Sequence, residues 1–275
     1  MERQLIVNAD DYGRTPGVSA GIRQAHLHGI VTSTTAMMSM PGVEEALEQA
    51  LEHCPCLGLG VHLVLTAGRP LLPAAQVRSL TRTEGPFLRP EPLAHHLPRL
   101  DVGELAAEWR AQVERFRAVT GRQPDHLDAH HHVAYWAPAL FQLFLELARE
   151  QRCAIRLPSG AEAEQVDPDL PAGLLQPLAQ WAGPLLEASR PRHPDHLDSS
   201  FYGPGATLAG LLDRLAQLPP GTTELMCHPG YADAALLEGS SYNLQRESEL
   251  AILTHPQTLA RVRERGLRLI PFAQL

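Results

Sequence analysis

The sequence contains no lysine, so every one of its 23 Lys+Arg residues is arginine. Schiff-base and pyridoxal chemistry and the phosphate-binding P-loop all need a lysine, and each is thereby excluded. No apolar run approaches the roughly 18 residues of a membrane span. There is no basic cluster, and the 275-residue chain carries a net charge of -8. That balance argues against nucleic acid and anionic membranes as partners. The four cysteines are Cys54, Cys56, Cys153 and Cys227. Cys54-Pro55-Cys56 is C-x-C, not the C-x-x-C of zinc or redox motifs, so they read as reduced structural thiols. Leu5-Ile6-Val7 is shorter than a leader's apolar core of ~7–15 residues, and a cytoplasmic location is expected.

What is present is alternation. Short apolar runs at residues 4–9, 31–40, 57–66, 126–132, 153–157, 223–227 and 267–270 read as strands. Helical patterns fall at 18–28, 43–53, 101–121, 139–151, 208–218 and 254–266. Asp101 reads as an N-cap with Glu104 as its reciprocal partner, and Leu105, Trp109, Val113 and Phe116 share one face. Repeated β–α units imply an α/β fold with a parallel sheet. No linker divides the chain, so residues 1–275 are expected to form a single domain. Two long irregular segments, at about 67–100 and 158–205, are expected to serve function. Pro-Asp-His-Leu-Asp occurs at 124–128 and again at 194–198, which reads as a local echo and not as a repeat architecture.

Polar constellations sit at the carboxyl ends of the strands, where α/β folds build sites. Asp10 and Asp11 are adjacent carboxylates, costly unless a cation relieves them; a metal held by one would leave the other free as a base. The competing reading is a turn cap and a solvated neighbour. His62, in Gly60-Val61-His62, is either a core histidine or a ligand. In Asp128-Ala129-His130-His131-His132, strand alternation would project Asp128, His130 and His132 together. A chance run of three histidines is uncommon, and a carboxylate often orients a ligating imidazole. His228, in Cys227-His228-Pro229, is either a proton donor or a turn residue. Arg156 would orient a substrate or pair with an acidic site residue. Trp136 is either a sugar-stacking platform or core. Two histidines and a carboxylate with open positions make a hydrolytic metal site.

The ordered set Asn8-Ala9-Asp10-Asp11-Tyr12-Gly13, the stretch from Gly60 to Thr66, the stretch from His126 to Val133, Arg156-Leu157-Pro158 and Cys227-His228-Pro229 resembles the YdjC-like carbohydrate deacetylase family. Within it, the set is most similar to the chitooligosaccharide (chitin disaccharide) deacetylases. The resemblance implies a distorted TIM-like (β/α) barrel of the glycoside hydrolase/deacetylase type. It implies one divalent cation, Mg²⁺ or Zn²⁺, held by Asp11, His62 and His130, with Asp10 as base and His228 as proton donor. It implies hydrolysis of an N-acetyl group from an amino sugar such as diacetylchitobiose, with release of acetate. Arg156, His132 and Trp136 are the candidate substrate contacts. Ala129 and Ala134 depart from the family's Ser and His. Leu63 to Leu71 is similar to the hopanoid-associated branch, so a lipid-linked amino sugar stays open as the substrate. A lysine-dependent sugar isomerase does not fit, and a non-catalytic sugar-binding relative would not need Asp10. The expected partner is a small amino sugar, with a second copy of the chain left open.

Overall fold

The computed structural model describes residues 2–82, 85–158 and 173–275. Its first strand, β1 (Arg3–Tyr12), sets the plan for the others. Side chains alternate across a strand. Leu5, Val7 and Ala9 join the large apolar cluster packed with the helices, whereas Ile6 belongs to a small separate cluster with Ala154, Ile270 and Phe272. That second cluster plugs the base of a barrel, and Asn8 and Asp10 continue the inward row above Ile6.

The chain proceeds through α1 (Pro16–His28), β2 (Ser33–Ala36), α2 (Val43–His53), β3 (Gly58–Leu63), α3 (Pro90–His96), α4 (Val102–Thr120) and β4 (His126–Ala129). It continues with α5 (Pro138–Gln151), β5 (Ala154–Ile155), α6 (Leu178–Ser189), β6 (His196–Asp198), α7 (Leu208–Gln217) and β7 (Gly221–Cys227). It ends with α8 (Ala234–Gly239), α9 (Leu244–Leu253), α10 (Pro256–Glu264) and β8 (Arg268–Leu269). The strand order is β5-β4-β3-β2-β1-β7-β6, with every pairing parallel. β8 pairs with β1 at Gln4 and Leu5, below the point where β2 takes over at Asn8. A backbone bond from Ile155 N–H to the Arg192 carbonyl, 2.9 Å, ties the β5 edge of the curled sheet to the segment that leads into β6 at the other edge. The architecture is the distorted TIM-like barrel that the sequence led us to expect.

Local chemistry accounts for the element ends. Thr15 accepts from the Val18 N–H and Pro16 opens α1. Asp101 accepts from the N–H groups of Gly103 and Glu104 at the start of α4, and Gly121, at φ +70°, ends it. These are an N-cap side chain and a left-handed C-terminal glycine. Glycine at position 60 answers a crowding constraint: a Cβ there would lie 2.6 Å from both the ring and the carbonyl of His126.

Several expectations need correction. Glu104 does not close a capping box; it accepts from the N–H and hydroxyl of Ser79 instead, tying the 67–100 segment to α4. Glu108 does the same for the N–H groups of Leu71 and Leu72. The cap of α10 is His255, not Thr254. The strand expected over 126–132 stops at Ala129, because His131 and His132 take left-handed φ values of +54° and +53°. The segment 158–205 contains α6 and β6, with residues 159–172 lying outside the described ones. The repeated Pro-Asp-His-Leu-Asp marks the start of two barrel strands, β4 and β6. Helices α8 and α9 were not foreseen.

Phe272 is fully buried in the basal cluster and stacks on His126 at 3.8 Å between ring centroids. Phe272→Ala is expected to destabilise the fold by about 3–5 kcal/mol through the cavity it leaves. Urea unfolding measures this, and a midpoint equal to wild type would show that the basal plug does not hold the barrel.

Candidate metal and catalytic centre

The inward rows of the strands turn from apolar at the base to polar at the mouth. Above Phe272 lies His126, whose Nε2 meets Asn8 Oδ1 at 3.0 Å while its Nδ1 meets Asp125. Asn8 Nδ2 then donates to Asp10 Oδ1 at 3.1 Å and Asp128 Oδ2 at 3.4 Å. The amide is thereby oriented, because its oxygen faces a ring nitrogen and its nitrogen faces carboxylates.

Arg156, immediately after β5, is fully buried at the same height. Its Nη1 and Nη2 bond Asp10 bidentately at 2.6 and 2.7 Å, Nε bonds Glu224 at 2.8 Å, and Nη1 lies 3.0 Å from Asp128. Of the two roles considered for Arg156, the structure shows the pairing with acidic residues; the side chain does not reach the cleft. Asp128 is held well down despite burial, by His62, Arg156 and a hydrogen bond from His62. Burial pushes Glu224 up to about 6, and Arg156 only partly opposes it.

Asp11, His62 and His130 converge beside this cluster. His62 Nδ1 meets Asp128 Oδ1 at 2.6 Å, which leaves Nε2 facing Asp11 Oδ1 at 3.5 Å and His130 Nδ1 at 3.3 Å. His130 Nδ1 lies 3.2 Å from Asp11 Oδ1. Ligand atoms of the three residues all fall within 4.8 Å of one another. Asp11 Oδ1 is buried and accepts no hydrogen bond, whereas Oδ2 is bound by Arg246 at 2.5 Å. An orphaned carboxylate oxygen between two imidazoles fits a cation. Two of the three protonation states agree; His62 is raised instead, its burial outweighed by Asp128, Asp10 and Asp11. Burial, opposed by Asp11, lowers His130 to about 4, and Asp11 is held well below the carboxylate range because Arg246, His130 and Arg14 outweigh its burial. Asp10, His62 and Asp128 also cluster, but both carboxylates there are engaged by Arg156.

His228 follows β7, its Nε2 3.9 Å from Asp10 Oδ2. Burial pushes it down to about 4 against the pull of Asp10, so the ring is neutral near pH 7. Its Nδ1 is buried without a partner. These groups open onto a cleft of about 860 Å³, in the range of small-ligand sites, ~300–1,000 Å³. Phe87 and Arg89 of the 67–100 segment form one wall, and Tyr202 and Tyr242, stacked at 4.1 Å, form another.

His132 lines the cleft with its Nδ1 unpartnered, but left-handed backbone, not strand alternation, puts it there. Trp136 does not line the cleft: it is 6% exposed, and its Nε1 donates to the His131 carbonyl. Ala134 packs in the core. Reading the sequence missed Arg246, Glu249, Tyr202 and Tyr242. Asn8 was visible inside the first motif; Tyr202 follows the end of the three-residue β6, and Arg246, Glu249 and Tyr242 follow no strand-end pattern.

A TIM-like barrel with a His–His–Asp cluster at the carboxyl ends of its strands is the class that this geometry defines. The YdjC-like protein family model matches residues 4–264, and the chain belongs to that family. It is 38% identical over 275 residues to a carbohydrate deacetylase of Geobacillus stearothermophilus, covering 100% of this chain and 98% of the relative. It is 36% identical to a chitooligosaccharide deacetylase of Yersinia pestis, with 99% of each covered. A solved structure from Enterococcus faecalis, titled a cellobiose-phosphate cleavage protein, superposes with a TM-score of 0.86 at 32% identity, covering 100% of this chain and 99% of that one. A family 4 carbohydrate esterase from Streptomyces lividans, at TM-score 0.51 and 9% identity over 97% of this chain and 91% of that one, shares the fold. No helix among the described residues is long and apolar enough to cross a membrane.

The depressed His228 gives a signed pH dependence. Above pH 6.5 the ring is neutral in both folded and unfolded chains. As pH falls towards 4 the unfolded chain takes the proton first, and stability is lost. The slope belonging to His228 amounts to no more than about 3 kcal/mol between those limits. Urea midpoints from pH 7 to 4 are expected to fall less steeply in His228→Asn than in wild type. Parallel curves would contradict a buried neutral His228.

Proposed function

We propose that this protein is a metal-dependent hydrolase that removes the N-acetyl group from an amino sugar. The substrate is an N-acetylglucosamine oligosaccharide such as diacetylchitobiose, and acetate is released. One observation carries the reading: a second carboxylate, Asp10, stands beside the His–His–Asp cluster, held by Arg156 and facing His228. Binding a sugar needs no such base. The names of the full-length relatives, carbohydrate deacetylase and chitooligosaccharide deacetylase, support the substrate class.

Asp11, His62 and His130 would hold the divalent cation, Mg²⁺ or Zn²⁺; two imidazoles favour zinc by ligand softness. When bound, such an ion supplies a Lewis acid for the acetyl carbonyl and favours deprotonation of water. Arg156 fixes Asp10 through both carboxylate oxygens, so Asp10 is oriented before it takes the proton of the attacking water. A neutral His228 must receive the proton that it delivers to the departing amine. Asp10 Oδ2, 3.9 Å from its Nε2, is the carboxylate that supplies it. Tyr202, on the cleft wall and edge-on to His228, takes the sugar-contact role first given to Trp136. His132, lining the cleft near Asp10, remains a candidate contact. The acidic charge and the lack of a basic cluster support a small-molecule substrate, with neither nucleic acid nor membrane as partner, and the free cysteines Cys54, Cys56, Cys153 and Cys227 support a reducing, cytoplasmic setting.

The test is acetate release from a panel of N-acetylated sugars that includes diacetylchitobiose, with added divalent metal and with chelator. Release is expected only with metal. His62→Ala and His130→Ala should lose metal binding and turnover together. Asp10→Asn should keep the metal and lose about 10²–10⁴-fold in kcat. Release that survives chelation would overturn the reading. Sugar binding without release from any panel member would favour a non-catalytic relative, and release only from a lipid-linked amino sugar would favour the hopanoid branch.

A further inference from the structure

Helix α9 carries two buried side chains that the proposed chemistry does not use. Arg246 is 2% exposed and Glu249 is fully buried. They stand three residues apart, so they share one face of the helix. Arg246 donates from Nη2 to Asp11 Oδ2, the oxygen turned away from the imidazoles, and from Nε to the Tyr242 carbonyl at 3.0 Å. Glu249 Oε2 accepts the backbone N–H of His228 at 2.5 Å, and its Oε1 accepts the Tyr242 hydroxyl. The Tyr242 ring lies edge-on to His228, 5.8 Å between centroids, and stacks on Tyr202.

We infer that α9 is the positioning element of this site: Arg246 sets the direction in which Asp11 presents its free oxygen, and Glu249 sets the place of His228 relative to Asp10. The inference rests on the roles proposed above for Asp11 and His228. Both targets need outside support. Asp11 has a left-handed φ of +72°, a conformation that a non-glycine residue holds only when its surroundings enforce it. His228 has no partner for its Nδ1, so its backbone anchor and the tyrosine edges are what fix the ring. Because both anchors leave one helical turn, the spacing between the metal-side carboxylate and the donor histidine is set by a rigid element and not by two loops. Tyr242 joins the two anchors, since its carbonyl meets Arg246 and its hydroxyl meets Glu249.

Two near-isosteric variants separate positioning from mere tethering of the helix. Glu249→Gln leaves one oxygen that accepts and one nitrogen that cannot, so either His228 or Tyr242 loses its acceptor. Arg246→Lys keeps a cation for Asp11 but lacks the rigid planar fork whose separate nitrogens serve Asp11 and the Tyr242 carbonyl. With Glu249→Gln, kcat on diacetylchitobiose is expected to fall about 10–100-fold, the scale of a small misplacement. Its KM and its Zn²⁺ affinity by calorimetry should stay within about twofold of wild type, because the triad is untouched. With Arg246→Lys, Zn²⁺ affinity is expected to fall about 10–100-fold, as for other residues behind a ligand. Circular dichroism checks that both variants fold. Wild-type kcat in Glu249→Gln, wild-type Zn²⁺ affinity in Arg246→Lys, or a uniform loss of every parameter together with the melting temperature would overturn the inference. If either variant fails to fold, Tyr242→Phe, which deletes one hydroxyl, carries the test, and an unchanged kcat there overturns it. Should wild type release acetate from no sugar, the proposed function fails by itself, while the Zn²⁺ calorimetry on Arg246→Lys still decides the Asp11 anchor.

Discussion

One buried guanidinium organises the mouth of this barrel. Arg156 reaches Asp10 on β1, Asp128 on β4 and Glu224 on β7 from the end of β5, and it has no exposure to water. Removing charges from water is tolerated only where they pair and hydrogen-bond well. The planar fork of arginine meets that condition with several carboxylates at once, which the point charge of a lysine does not. Strands distant in sequence are thereby fixed at one height, and everything above them inherits that registry. His62 is aimed by Asp128, and Asp10 is aimed by Arg156 and Asn8.

The cluster is not neutral by itself. Asp10, Asp11, Asp128, Glu224 and Glu249 bring five buried carboxylates, against the guanidiniums of Arg156, Arg246 and the partly exposed Arg14. Two negative charges are left over. The raised value of His62, where Asp128, Asp10 and Asp11 outweigh burial, answers part of that excess by favouring a proton there. A divalent cation among Asp11, His62 and His130 would settle the same balance without protons. The donor set, the orphaned oxygen of Asp11 and the charge count therefore point to one kind of occupant, while leaving Mg²⁺ and Zn²⁺ to be told apart by ligand chemistry.

Much of this was legible in the sequence because it follows short-range rules. The apolar runs that became β1, β3, β5 and β7 needed only period and length, and the polar residues at their ends fell where parallel α/β folds place sites. What was lost had no periodic signature. A three-residue strand such as β6 is too short to alternate visibly, even with Pro-Asp-His-Leu-Asp repeated at its start. Trp136 could not be assigned to core or cleft until the chain path after His130 was known. Arg246 and Glu249 lie on a helix with no strand before it, and their partners are more than 200 and about 20 residues away along the chain.

The instructive failures are those of alternation itself. By period two, Asp10 faces into the barrel and Asp11 faces out. The structure turns Asp11 inward through a left-handed φ of +72°, at a register irregularity of β1 between Ala9 and Tyr12. His130 is inward by the same rule, and two left-handed residues then bend the chain away before the row can continue. Left-handed backbone costs an L-residue on the order of 1–2 kcal/mol at each position. Three such residues within reach of one cleft, one on β1 and two just beyond the end of β4, mark where the fold gives up local preference to bring side chains together. Two adjacent carboxylates can serve one site, one beside the imidazoles and one on the guanidinium, only because the backbone between them breaks the pleat.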